Sequence, residues 1–212
     1  MIEVYQYNKQ NQNGCMYYLF VLLLLFISLP LQVLCAVTVF IANGSPVFFR
    51  QKRVGKNGKV FVMYKFRTMK IGAERLQSQL RKQNEADGPV FKIRNDPRFT
   101  RIGKFFSHAG FDELPQLWNV LRGEMALIGP RPLPLSETKK LTATQFKRHV
   151  VKPGIISPWI LDGYHTKPFI SWMKSDIIYS RTKSLKTDIL LFIRSIKLLI
   201  LLFGRSVGEL FR

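Results

Sequence analysis

Acidic side chains are scarce in this 212-residue chain: 13 Asp and Glu stand against 33 Lys and Arg, a formal net charge of +20. Such an imbalance calls for an anionic partner. Cysteine is scarcer still, with only Cys15 and Cys35, which excludes a disulfide-stapled fold and a Cys-ligated zinc site. The three histidines, His108, His149 and His165, have no ligand spacing, and no metal is assigned to them. Ionised side chains are missing altogether between Gln10 and Phe49. Hydrophobic residues, at 47%, and aromatics, at 13%, are abundant enough to exclude a disordered basic tail or a histone-like arm.

The apolar run from Met16 to Ala42 holds 27 residues. As one straight helix it is about 40 Å long, more than the roughly 30 Å hydrocarbon layer requires. Pro30 interrupts it, because proline removes a helical hydrogen bond and clashes with the carbonyl four residues back, while Ser28 offers a hydroxyl to the freed backbone. Two half-helices are expected, neither able to cross the hydrocarbon alone. A kinked spanning helix and a re-entrant hairpin both remain open at this point. The run is too long, and its leading charge too small, for a cleavable signal peptide. Arg50, Lys52, Arg53, Lys56 and Lys59 follow directly, which by the positive-inside tendency places the rest of the chain in the cytoplasm.

Residues 46–69 read as a β-hairpin turning at Asn57-Gly58 in type I′ geometry. Residues 73–86 read as a polar helix with Leu76 and Leu80 on one face, followed by a loop punctuated by Gly88-Pro89 and Asp96-Pro97. A second helix is expected from Asp112 to Gly123, with Asp112 as N-cap, Pro115 in the first turn, and Leu114, Leu117, Trp118 and Leu121 as its apolar face. Residues 130–134 and 153–158 read as loops, and 187–211 as an amphipathic helix lying in the membrane interface. Trp118 is expected in the core, and Trp159 and Trp172 as interface anchors or ligand platforms.

Among so few carboxylates, the adjacent pair Asp112-Glu113 at a helix start stands out. Helix capping is the plainer account of it; binding Mg²⁺ or attacking phosphorus is the chemical one, and the spacing permits both. Gly129-Pro130-Arg131-Pro132 sets one arginine between rigid residues, as a proline turn or as a presented guanidinium for two-point phosphate contact. Lys65 and Arg67 alternate with Phe66 and so share a strand face, which on its own reads as solvated.

The run GSPVFFRQKRVGKNGKVFVMYKFRTM, then NDPRFTRIG, FDELPQLWNVLRGEMALIGPRP and KPG in that order and spacing, resembles the bacterial sugar transferase family, the monotopic phosphoglycosyl transferases. The likeness extends from about Ser28 to the amphipathic tail and corresponds to the family's minimal form. It implies transfer of a sugar-1-phosphate from a nucleotide diphosphate sugar, expected to be UDP-linked, to undecaprenyl or a similar polyprenyl phosphate. It further implies a covalent intermediate on Asp112, Glu113 as its dyad partner, and Mg²⁺ held at Asp112. Lys65, Arg67, Arg131 and Arg148 are the cations expected on substrate phosphate. The family's membrane element is a re-entrant helix broken at a Ser-Pro pair, which favours the hairpin. Here Pro30 keeps the proline, but Leu29 stands in the serine's place and Ser28 comes one residue early, about 100° round the helix. Residues 155–166 keep little of the family's Gly-Trp-Ala-Gln region.

The expected architecture is therefore α+β: a tail over 1–15, a re-entrant membrane helix over 16–43 broken at Pro30 beside Ser28, and a small mixed cytoplasmic catalytic domain over 44–212, with a β-hairpin and amphipathic interface helices. Expected partners are a nucleotide sugar, polyprenyl phosphate and anionic membrane lipid, on the cytoplasmic face of a bacterial inner membrane, with a homodimer left open. The rival is a membrane-tethered basic nucleic-acid-binding module, since +20 also suits phosphate-backbone binding. No helix-turn-helix spacing, RNP-type strand or basic stripe on the helix from Asp112 supports it, so no nucleic-acid partner is expected.

Overall fold

The computed structural model describes residues 14–161, 163 and 167–210; most of the expected tail, and His165, lie outside them. Helix and strand are mixed. The apolar run forms one helix, α1 (Cys15–Asn43), that carries Pro30 inside it rather than ending there. Ser28 donates to the carbonyl of Leu25 at 3.1 Å and accepts from Gln32 Nε2 at 3.0 Å, so it does not serve the Phe26 carbonyl that Pro30 frees. Val21 and Val39, near opposite ends of α1, are both fully buried against the rest of the protein, each contributing about 1.5–3 kcal/mol. Most of the helix between them presents exposed apolar side chains, among them Leu23, Phe26, Ile27, Val33 and Leu34.

The hairpin forms as expected. β1 (Phe48–Val54) pairs antiparallel with β2 (Val60–Phe66). Asn57 (φ 55°, ψ 29°) and Gly58 (φ 78°) take the two left-handed positions of a type I′ turn, closed by Lys59 N–H on the Lys56 carbonyl. Val54, not Gly55, pairs with Val60, so Gly55 is an extra residue in the connection. That register opposes Arg53 to Phe61 and Phe49 to Lys65. Phe61 and Met63 are buried, so Arg53 and Lys65 lie on the inward face with them, not on a solvated one.

The polar helix expected over 73–86 is reduced to α2 (Ala73–Leu76) and a 3₁₀ turn (Gln79–Gln83). Leu76 remains exposed, and a helix without a face to bury gains little from tertiary packing. Unforeseen is α3 (Arg101–Ala109), whose Thr100 hydroxyl accepts the Gly103 N–H at 3.0 Å. It stops at Gly110, at φ 78°. The helix expected from Asp112 is instead a 3₁₀ turn (Phe111–Glu113) followed by α4 (Gln116–Leu121).

The segment 153–158, expected to be a loop, contributes a strand. β4 (Gly154–Ile156) runs parallel to β3 (Ala126–Ile128), and the remaining helices are α5 (Leu135–Thr138), α6 (Ala143–Phe146), α7 (Pro158–Leu161), α8 (Phe169–Thr182) and α9 (Leu185–Leu210). Three core clusters result. Val21 packs with Met63, Val120, Leu127 and Tyr179; Cys35 and Val39 pack with Phe66 and Phe106; and Leu133 joins Phe169, Trp172 and Trp159. Trp159 and Trp172 are stacked in that core, centroids 4.7 Å apart, and are not interface anchors. Trp118, expected in the core, is 53% exposed because α4 buries the face of Gln116, Leu117, Asn119 and Val120 instead.

Candidate active site

Gly110 turns the chain sharply after α3, and the 3₁₀ turn that follows aims Asp112 inward, 5% exposed, instead of along a helix start. Asp112 makes no capping bond, and capping therefore does not explain it. Lys65 reaches across from β2 to both carboxylates, 3.3 Å from Asp112 Oδ2 and 2.6 Å from Glu113 Oε1. Arg131 adds a bond to Glu113 Oε1 at 2.8 Å. Asn119 holds the two sides together: its Nδ2 donates to the Val62 carbonyl at 2.7 Å and its Oδ1 accepts the Tyr64 N–H at 3.2 Å. It thus occupies the free edge of β2 as a neighbouring strand would.

The two carboxylates are not equivalent. Burial pushes Asp112 above the usual carboxylate range against the pull of Lys65, and the charge of Glu113 pushes the same way. Burial would also raise Glu113, but Arg131 and Lys65 overcome it and hold it down to about 2. Glu113 is a permanent counter-ion. Asp112 is the more basic oxygen donor of the pair.

Arg131 sits in a chain segment whose carbonyls are bonded one after another. Pro130 accepts Gly154 N–H at 3.0 Å, Arg131 accepts Arg148 Nη2 at 2.6 Å, Pro132 accepts Arg53 Nη1 at 2.8 Å, and Leu133 accepts Val54 N–H at 3.2 Å. The prolines fix φ, the four bonds fix the carbonyls, and the guanidinium, 31% exposed, projects from a rigid base. A shallow depression beside it is lined by Arg53, Met63, Glu113, Gln116 and Pro132. In it Arg53 Nε and Gln116 Nε2 are buried donors without a hydrogen-bond partner among the described residues, which suits an anionic ligand.

The structure brings Lys65, Asp112, Glu113 and Arg131 together, and corrects two other expected phosphate contacts. Arg67 is buried and donates to the carbonyls of Asn43 and, at 2.8 Å, Gly44, where it caps the C-terminus of α1. Arg148, 1% exposed, is spent on Asp176 and the Arg131 carbonyl and has no surface to offer a substrate. Arg53 was missed as a site residue: it appeared only as one more cation after the apolar run. Its signal is strand parity, which places it on the face of Phe61 once the register is known. Among the described residues no group of three His, Cys, Asp or Glu could enclose a metal.

With this geometry in place, the comparisons are specific. Residues 9–201 match the model described as "Bacterial sugar transferase", and the chain belongs to that family. It is 40% identical over 160 residues to a galactosyl transferase of Streptococcus agalactiae, covering 75% of this chain and 36% of the relative. It is 32% identical over 186 residues to the undecaprenyl-phosphate galactose phosphotransferase of Salmonella typhimurium, covering 84% and 38%. An exopolysaccharide production protein of Sinorhizobium fredii is 31% identical over 172 residues, covering 79% and 76%. The chain thus spans little more than a third of the first two relatives.

Proposed function

We propose that the protein transfers a sugar-1-phosphate from a nucleotide diphosphate sugar to a polyprenyl phosphate by way of an acyl phosphate on Asp112. One observation carries the reading: two adjacent carboxylates, Asp112 buried and Glu113 nearly so, faced by Lys65 and Arg131. The relatives, which include an undecaprenyl-phosphate galactose phosphotransferase and a UDP-glucose:undecaprenyl-phosphate glucose-1-phosphate transferase, support the substrates.

Asp112 attacks the phosphorus that bears the sugar. The bond from that phosphorus to the bridging oxygen breaks, and the nucleoside monophosphate leaves with its electron pair. An oxygen of the lipid phosphate then attacks the same phosphorus, the bond from phosphorus to the Asp112 carboxylate oxygen breaks, and the carboxylate is restored. Lys65 and Arg131 offset the charge on the phosphoryl oxygens, and Glu113 keeps both cations in place. Lys65 uses Asp112 Oδ2, and both cations use Glu113 Oε1, which leaves Oδ1 and Oε2 as hard donors. Two carboxylate oxygens, completed by substrate phosphate and water, fit Mg²⁺, which when bound supplies charge neutralisation on the diphosphate.

The membrane topology in this reading is re-entrant, on the cytoplasmic face. The Tyr17 hydroxyl accepts the Leu127 N–H at 3.0 Å, while Arg67 caps the Asn43 end, so both ends of α1 are tied to one domain. A straight bilayer crossing would carry one end about 30 Å away. Exposed apolar residues of α9, such as Ile193, Ile200 and Leu201, extend the lipid-facing surface.

Intact-protein mass spectrometry after incubation with Mg²⁺ and nucleotide sugars, without lipid acceptor, tests the chemistry. The wild type should gain one sugar phosphate and Asp112→Asn none; Glu113→Gln, which loosens both cations, should react about 10²- to 10³-fold more slowly. A full-yield adduct on Asp112→Asn defeats the assignment.

A further inference from the structure

Lys65 is set against the dyad in two ways, and the ion pair is only one of them. Its strand, β2, pairs with β1 along one edge; along the other, the Val62 carbonyl and the Tyr64 N–H are met by a side chain. Asn119 of α4 supplies it. Its Nδ2 donates to the Val62 carbonyl at 2.7 Å, and its Oδ1 accepts the Tyr64 N–H at 3.2 Å. Nδ2 also donates to Glu124 Oε2, again at 2.7 Å. The main-chain carbonyl of Asn119 accepts the N–H groups of Glu124 at 3.0 Å and Met125 at 3.2 Å. The residue is fully buried, so the amide is held at both nitrogen and oxygen and its backbone is pinned beneath it.

Only Leu114 and Pro115 separate Glu113 from α4, and Tyr64 directly precedes Lys65. The links therefore close a ring: Lys65 Nζ to Glu113 Oε1 at 2.6 Å, the chain from Glu113 into α4, Asn119 across to Tyr64, and the peptide bond back to Lys65. The ion pair closes that ring only while it lasts. To meet a phosphoryl oxygen, Lys65 must share or leave the carboxylate oxygens it holds, and at that step the amide link alone fixes its strand against the dyad. Aspartate cannot replace it: a carboxylate has no donor for the Val62 carbonyl and lies against the charge of Glu124.

We propose that Asn119 is a positioning residue for the transfer, acting through Lys65: it holds the β2 main chain at the distance from Asp112 at which the ammonium meets the attacked phosphoryl group. This rests on the reaction proposed above. Among the described residues Asn119 bonds neither carboxylate of the dyad, so its effect has to pass through the strand.

Two measurements on the full chain in detergent test this. The first is the rate of sugar-phosphate adduct formation, followed by intact-protein mass spectrometry, for Asn119→Ala, Lys65→Met and the double variant. Asn119→Ala should slow the wild-type rate about 10- to 100-fold, the cost of a small misplacement. In the Lys65→Met background the same change should cost less than about threefold, because its effect travels through Lys65. Equal losses in both backgrounds overturn the assignment.

The second needs no turnover. Acetylation of amines in the substrate-free protein, read peptide by peptide, should proceed about tenfold faster at Lys65 in Asn119→Ala than in wild type. Lys183, whose side chain is 5% exposed and which lies after α8, should stay as slow as in wild type. If Asn119→Ala does not fold, Glu124→Ala removes one partner of the same amide and should raise Lys65 acetylation by a smaller factor. Acetylation of Lys65 that is unchanged, or that rises only in step with Lys183, overturns the role of Asn119. A selective rise at Lys65 in a protein whose wild type forms no adduct overturns the transfer reading alone.

Discussion

Arg148 joins Asp176 of α8, at 2.5 Å, to the main-chain carbonyl of Arg131, at 2.6 Å. The pair is almost wholly removed from solvent, and burial raises Asp176 to about 6 despite the opposing guanidinium. Its charge holds a loop in place; it does not bind a ligand. Asp176→Ala leaves a buried cation unpaired and should cost about 3–5 kcal/mol of unfolding free energy. The double variant Arg148→Met, Asp176→Leu should regain most of that stability but not the activity, because the Arg131 carbonyl still lacks its donor. Denaturant unfolding in detergent, read beside turnover, checks both outcomes.

Arg131→Lys keeps the charge and every carbonyl bond of the loop, since those bonds are made by the main chain. The melting temperature should stay within a degree or two of wild type, about the size of a surface change. Turnover should fall about 10²-fold or more, because an ammonium cannot make the planar two-point contact. Loss of activity only in step with loss of stability would reduce Arg131 to a turn residue.

Cys15 and Cys35 are the chain's only cysteines, one exposed at the start of α1 and the other buried. In a Cys35→Ser background, Cys15 should resist a membrane-impermeant maleimide in intact spheroplasts and react once the membrane is opened. Reaction in intact spheroplasts would establish a spanning helix. Pro30→Leu, which removes the defect in the helix, should shift Cys15 towards that reactive state.

His149 is buried beside Arg148 and bonds the Phe146 carbonyl at 3.0 Å. Burial first, and the charge of Arg148 second, lower it to about 4. The unfolded chain, with a histidine near 6.5, takes up a proton that the native protein refuses. The stability linked to this group is thus complete above about pH 6.5 and is lost as pH falls towards 4. Unfolding midpoints at pH 7.5 and 4.5 should show a smaller drop for His149→Gln than for wild type; equal drops would assign the acid sensitivity elsewhere.

Features governed by near neighbours in the chain were legible in advance. The apolar run, the hairpin with its Asn57-Gly58 turn and the adjacency of Asp112 to Glu113 depend on composition, turn chemistry and spacing within a few residues. So was Arg131, because prolines on either side restrict it whatever the rest of the chain does. Helix α3 is not among the expected elements, although Thr100 and Gly110 bracket it and Ile102, Phe105, Phe106 and Ala109 keep the 3.6-residue spacing. Strand β4 is three residues long and has meaning only beside β3, which lies 28 positions earlier.

The sequence by itself determined a basic, membrane-seeking chain with a carboxylate pair and a rigid arginine, and the order of the motifs fixed its family. Only the tertiary structure decided which cations meet that pair. One extra residue, Gly55, sets the hairpin register that puts Arg53 on the face of Phe61, and a slip of one position would turn it to the other face; Lys65 shares that face through the alternation of β2 itself. Arg67 and Arg148 are the same residue type as Arg131 and read alike in the sequence. Packing consumed the first on the end of α1 and the second on Asp176, because a buried guanidinium must be satisfied where it lies, and left the third exposed at the dyad.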